Sequence, residues 1–233
     1  IYWANFIKEK AKEMGVEIYV TEMWDNWDLK NEQHRRTFGH PERFDFVEIS
    51  QNNHQKGQIH WNNLQWAREY ISKKPRPMNS VKIYGADGGR FGNTKDAIER
   101  FWRLLVGGVS AIRFHRPPSG IGLSKEAIAS IKAVREIEKL IKIWELEPSQ
   151  HLLNTKEENL AYLCAKEPYF YLVYFTRQGE VELNIKNIEK NFILNWIEIE
   201  TGKLYKKEKL KGKDGLKIKT PGKGDWACVI IVE

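Results

Sequence analysis

The hydrophobic period of this chain changes at Pro148, and that change limits what it can fold into. Before Pro148, apolar residues recur by turns at helical spacing and in short β-branched runs; after it they recur every second residue. Residues 2–14 place Trp3, Phe6, Ile7 and Ala11 at helical spacing, stopped by Gly15, and EIYVTEM (17–23) reads as a strand. Beyond a polar loop, FDFVEIS (44–50) is a second strand and WNNLQWAREYIS (61–72) a helix, broken by PRP at 75–77. VKIYGA (81–86) is a third strand. Asn93 caps a helix over 94–105 that Gly107 and Gly108 stop, SAIRFH (110–115) is a fourth strand, and 124–144 a long helix. Repeated strand-then-helix units predict parallel strands joined by right-handed crossovers. A closed barrel of eight such units takes about 250 residues, so the four units of residues 1–148 are either a partial (β/α)8 barrel or an open four-stranded sheet.

Residues 152–233 hold six or seven short strands with turns at RQG (177–179) and ETG (200–202), which predicts a small antiparallel β-sandwich. The expected fold class is therefore α/β plus all-β. Cys164 and Cys228 fall on the first and last of these strands among apolar neighbours and are expected as buried free thiols. Two cysteines make no disulfide framework and no four-cysteine zinc site. The lysine-rich stretch from Lys203 to Lys219 is broken by acids and glycines and reads as a solvated edge strand or hairpin. Thus the net charge of +7 does not by itself imply nucleic acid, and no nucleic-acid partner is expected. No apolar run approaches the roughly 20 residues of a spanning helix, which excludes a helical membrane protein. The sequence opens at Ile1 with a helix already under way and no signal peptide, so upstream sequence is expected. A half-barrel on its own would expose two sheet edges, and self-association through them is expected.

Polar residues crowd behind the carboxyl ends of the four strands, as TEMWDNWD, SQNNHQKG, ADGGRFG and HRPPSG. Ligands of parallel α/β folds bind at that rim. Alternation sends Glu48 and Ser50, Lys82 and Tyr84, and Arg113 and His115 to the face opposite the helices. Glu48, Lys82 and Arg113 are then expected to neutralise one another, since an unpaired interior charge is costly. Carboxylates interleaved with indoles, as Glu22, Trp24, Asp25, Trp27 and Asp28, suit sugars, whose apolar faces stack on Trp and whose hydroxyls donate to carboxylates. Glycoside cleavage needs two carboxyl groups flanking the bond. The candidate carboxylates are Glu22, Asp87 and Glu48. Trp24, Asp25, Trp27, Asn52, Asn53, His54, Lys82, Tyr84, Arg113 and His115 are candidate sugar contacts. No histidine pair has metal-ligand spacing and ADGGRFG lacks the marks of a phosphate loop, so neither metal nor cofactor is expected.

The order of these motifs resembles the apiosidase-like glycoside hydrolases. PRPMNSVKIYGADGG, then a helix bearing RFWRLLVGGVSAIRFH, is similar to the last two strands of that group's barrel. NWIEIETGK and GDWACVIIV are similar to the Trp-x-x-x-x-Thr-Gly turn and terminal Asp-Trp strand of its C-terminal domain, often labelled collagen-binding. The resemblance implies the fifth to eighth barrel strands, a polysaccharide side-chain hydrolase, and secretion or a periplasmic address. It also implies a nucleophilic Glu on the seventh strand; counting from Pro77, Lys82 stands there instead, and an ammonium group cannot attack as a carboxylate does. Two rivals remain beside hydrolysis: a non-catalytic carbohydrate-binding protein, and a structural or adhesive module.

Overall fold

A computed structural model describes residues 2–86, 91–155, 157–185, 190–212 and 215–233. Its first part runs α1 (Tyr2–Glu13), α2 (Glu32–Phe38), β1 (Val47–Glu48), α3 (Gly57–Tyr70), β2 (Met78–Ile83), α4 (Thr94–Val106), β3 (Ala111–Phe114) and α5 (Lys125–Glu138). The strands β1, β2 and β3 pair in parallel in that order. The expected caps are present: Asn93 and Asp96 form a reciprocal capping box on α4, and Gly107 closes that helix. Apolar residues at helical spacing bury one side of α4 against the sheet, with Ala97, Phe101, Trp102 and Leu104 in the core.

Several expectations are corrected. Residues 17–23 are extended but form no strand, so three parallel strands are hydrogen-bonded rather than four. The Val20 amide donates to Asp45 Oδ2 (2.7 Å), while the Asp45 amide donates to the Val20 carbonyl (2.9 Å). A side-chain carboxylate thus takes the amide that a ladder carbonyl would need, and pairing stops after one backbone bond. The polar loop beyond it contains α2, whose cap Asn31 accepts from the Gln33 amide. The second strand shrinks to two residues because Ser50–His54 coil into a 3₁₀ helix. The last helix of this part ends at Glu138, with a 3₁₀ turn at Ile143–Glu145. The apolar stripe of α1 stays largely at the surface, with Trp3, Phe6 and Ile7 exposed and Ala4 buried.

The second part adds β4 (Glu147–Pro148), β5 (Leu153–Asn154), β6 (Ala161–Lys166), β7 (Phe170–Phe175), β8 (Glu180–Leu183), β9 (Lys190–Glu198), β10 (Lys203–Gly212), β11 (Leu216–Lys219) and β12 (Trp226–Val232). They form two antiparallel sheets, ordered β10-β9-β12-β7-β6-β4 and β11-β8-β5. The lysine-rich strand β10 is an edge, and both cysteines are buried and free. The larger sheet is buried on both faces. Leu163, Val173, Trp196 and Cys228 join Val181, Leu183 and Ile218 of the smaller sheet in one core. The alternate residues Tyr162, Cys164, Leu172, Tyr174 and Val229 join the core of the helices instead. Trp102 of α4 stacks on Tyr174 (ring centroids 5.6 Å), and Trp61 of α3 lies 4.8 Å from Tyr162. That is why β6, β7 and β12 read as nearly continuous apolar runs.

Polar contacts fix the same junction. Lys95 of α4 pairs with Asp225 at the start of β12 (2.9 Å) and donates to the Thr176 carbonyl. The turn between β9 and β10 meets α5 closely: Gly202 has φ +68°, and a Cβ there would lie 2.5 Å from the Ala129 carbonyl oxygen.

Candidate functional site

The carboxyl ends of β1, β2 and β3 build the rim. Val47 and Ile49 enter the core, which turns Glu48 to the other face as alternation predicts; its exposure is 4%. Glu48 Oε1 accepts the Ser50 amide at 2.7 Å. The Ser50 hydroxyl in turn accepts the amides of Val81 (2.8 Å) and Lys82 (3.1 Å). Those amides are available because the β2–β3 register shifts between Ser80 and Ile83. Burial pushes the Glu48 carboxyl above the ordinary glutamate range, opposed by hydrogen bonds from Ser50 and Val81 and by the charge of Lys82.

The expected ion-pair layer of Glu48, Lys82 and Arg113 is not formed. Among the described residues neither Lys82 nor Arg113 has a carboxylate at salt-bridge distance. Ser50 occupies the carboxylate of Glu48, and Arg113 is exposed, its Nε donating to the Val81 carbonyl (3.3 Å). Asn52 and Asn53, expected to hold sugar, are fully buried and brace the loop instead. Asn53 Nδ2 donates to Ser80 Oγ and the Lys82 carbonyl, both at 2.9 Å, and its Oδ1 faces His60 Nε2 (3.1 Å). Asn52 Nδ2 donates to the His60 carbonyl (2.8 Å). The ring of His60 is held well below its usual pKa by burial and by the charges of Arg103 and Arg100.

Around this scaffold lies a row of rings. Trp27 stacks on His54 (centroids 4.5 Å), His54 meets Tyr84 (4.8 Å), and Tyr84 stacks on Phe91 (4.8 Å) and meets His115 edge-on (5.8 Å). Trp27 is 43% exposed. Four of the five come from four different segments singled out in the sequence; Phe91 was missed, being one aromatic among glycines. On the same loop as Trp27, the Trp24 indole donates to Thr37 Oγ1 (3.0 Å), which donates to Glu22 Oε2 (3.3 Å). Asp25 is exposed and accepts from Gln51 Nε2 (3.3 Å). Gln51 is buried and its Oε1 has no partner among the described residues, an acceptor left over beside the rim. Asp87 lies outside the described residues. The His115 ring is lowered by burial and by the charges of Arg116, Lys82 and Arg113. Among the described residues no group of three or more His, Cys, Asp or Glu could hold a metal ion, and no helix is long and apolar enough to cross a membrane. A cleft of about 800 Å3 lies away from the rim, at the junction of α4 and α5 with the larger antiparallel sheet, and includes Lys95 and Asp225.

Solved structures of similar fold include glycoside hydrolases. A glycoside hydrolase family 5 structure from Bacteroides vulgatus ATCC 8482 aligns with TM-score 0.61 at 14% identity, over 85% of this chain and 53% of its own. A second structure, described as a glycoside hydrolase, gives 0.62 at 13% identity over 85% of this chain and 55% of its own. A GH30 endoxylanase from Clostridium papyrosolvens C71 gives 0.52 at 11% over 99% of this chain and 60% of that one. The chain thus has a glycoside hydrolase-like fold, and spans just over half the length of the first two structures. The sequence itself matches no family model, and no curated protein matches it.

Proposed function

We propose that residues 1–148 are the closing units of a (β/α)8 barrel, that 152–233 are the β-sandwich behind it, and that the rim binds a carbohydrate which the whole protein hydrolyses. The observation that carries this reading is the solvent-open ring of Trp27, which packs on His54 and, through the buried Tyr84, on the rim of the parallel strands. Sugars stack on such rings, and the neighbouring acceptors of Asp25 and Gln51 suit their hydroxyls. The apiosidase-like group, acting on polysaccharide side chains, is the branch whose motifs the sequence resembles. That group's general acid belongs to a fourth barrel strand outside these residues; of the carboxyls present, Glu48 is a candidate whose pKa burial raises, the direction that acid catalysis favours. Glu22 is the second carboxyl and Asp87 the third candidate.

Titration with a panel of plant and bacterial oligosaccharides, read by tryptophan fluorescence, tests the binding. Trp27→Ala should weaken it about tenfold, the worth of one stacked ring. Absence of any fluorescence or calorimetric response across the panel would remove the reading. Reducing-sugar release by the full-length protein tests hydrolysis, with Glu48→Gln or Glu22→Gln lowering it by about a hundredfold or more. A second reading, binding without cleavage, is favoured by Lys82 at the seventh-strand position; it predicts binding with no release of sugar.

A further inference from the structure

Helix α4 carries two arginines one turn apart, Arg100 and Arg103, and each is 1% exposed. A buried guanidinium group persists only where its N–H groups find acceptors. Arg100 finds them in the loops behind β1 and β2. Its Nε donates to the Gln55 carbonyl (3.1 Å) and its Nη1 to the carbonyls of Tyr84 (2.8 Å) and Phe91 (3.3 Å). Arg103 reaches the antiparallel part. Its Nη1 donates to Glu99 Oε2 (2.9 Å) and to Oδ1 of Asn159 (3.1 Å), in the loop between β5 and β6, and its guanidinium lies over the Tyr162 ring (5.7 Å). The Arg103 Nε faces Nδ1 of the fully buried His60 (3.4 Å).

The chemistry of these groups leaves His60 one protonation state. A guanidinium can only donate, so Nδ1 must accept. The Lys82 carbonyl fixes Asn53 Nδ2 as a donor, so Asn53 Oδ1 must accept and the proton sits on His60 Nε2. Burial and the charges of Arg103 and Arg100 keep the ring neutral. A line of hydrogen bonds thus runs from Asn159 through Arg103 and His60 to Asn53, in the 3₁₀ turn Ser50–His54. Asn159 stands at the far end of it under strain. Among the described residues it is the one non-glycine residue with a left-handed φ, +59°; asparagine tolerates that conformation at a cost. It lies in neither antiparallel sheet, so sheet pairing does not impose the strain. Its Oδ1 also accepts from the Tyr162 hydroxyl (2.6 Å), and its carbonyl accepts from Thr176 Oγ1 (2.6 Å). The side chain lies against Gly57, the first residue of α3, where a Cβ would be 3.5 Å from Asn159 Cγ.

We infer that Asn159 of the antiparallel part is a positioning residue for the rim: through Arg103 and His60 it sets the Ser50–His54 turn, and with it the His54 ring on which Trp27 lies. Its bearing on sugar rests on the reading of the rim as a carbohydrate site; the positioning does not. The test is NMR of the full-length protein carrying isotope-labelled histidine. At pH 7 the wild-type His60 ring should hold its proton on Nε2 and none on Nδ1, a measurement that needs no variant to fold. Asn159→Gly removes the side chain but keeps a residue at ease at positive φ. It should shift the His54 ring resonances, which the stacked Trp27 displaces, and weaken oligosaccharide binding about fivefold. Asn159→Asp retains the acceptor and should restore both. Asn195→Ala, which removes a buried amide of β9 that donates to the Val229 carbonyl (3.3 Å), loses stability without touching this line and should leave His54 where it is. A proton on His60 Nδ1 overturns the inference. So does a His54 ring that Asn159→Gly leaves unmoved, or that Asn195→Ala moves equally. If no oligosaccharide binds the wild type, the carbohydrate reading falls, while the His54 resonances still decide the positioning.

Discussion

Single side chains at the junction and the rim differ in whether their polar atoms are satisfied, and stability follows from that difference. Tyr174 is fully buried against Trp102, and its hydroxyl has no partner among the described residues. Burying an unbonded hydroxyl costs free energy, so Tyr174→Phe should leave stability unchanged or raise it by about 1 kcal/mol, measured by urea unfolding. Ser50 is the opposite case. Its hydroxyl serves two partly buried amides, and Ser50→Ala would strand both, costing about 2 kcal/mol in the same measurement. The sequence showed that Glu48 faces away from the helices, because alternation around Val47 and Ile49 requires it. It did not show that Ser50 would hold Glu48 in place of Lys82. That depends on a register shift between β2 and β3, which is set by tertiary pairing and leaves no mark on local alternation.

At the scale of elements, legibility tracks where each backbone hydrogen bond is satisfied. Helix α4 was readable to within a residue, since its capping box, its apolar face and its glycine stop all lie within its own span. The segment 17–23 has the composition of a strand, yet its partner is a side chain of residue 45, which no period reveals. The contact of α4 with β12 yields a pH prediction. Burial lifts the Asp225 carboxyl to about 6, against the pull of Lys95, whereas in the unfolded chain it titrates near the ordinary aspartate value of about 3.8. Between those values the folded state binds more protons than the unfolded, so stability falls as pH rises from about 4 to 6. This one group accounts for about 3 kcal/mol across that window. Asp225→Asn should flatten the slope, and Lys95→Met should extend it to higher pH by leaving the carboxylate without its ion pair. Unfolding curves at pH 4, 5, 6 and 7 check both; identical slopes in wild type and Asp225→Asn would contradict the assignment.

For the whole molecule, the parallel part presents both an unpaired edge and an exposed apolar stripe. The strand β3 is an unpaired edge with Ala111 and Arg113 exposed, and the stripe of Tyr2, Trp3 and Phe6 on α1 is open to solvent. Unpaired strand edges and apolar stripes recruit other chains. The proposed self-association of these 233 residues should therefore show by light scattering as dimers or larger species, and a sharp monomer peak at micromolar concentration would count against it. In the antiparallel part most described apolar residues divide between two cores, with Tyr169, Leu204 and Tyr205 left exposed.

That division has a consequence for heredity. A unit whose outer faces are polar can be cut out by recombination, pasted beside an unrelated neighbour and still fold. The larger antiparallel sheet cannot, because Tyr162, Leu172, Tyr174 and Val229 need Trp61 and Trp102 of the helices to cover them. A gene break near Pro148 would leave both halves with a wet aromatic wall. Substitutions on one side of that wall must be answered on the other, so the two parts should have descended together, as one inheritance.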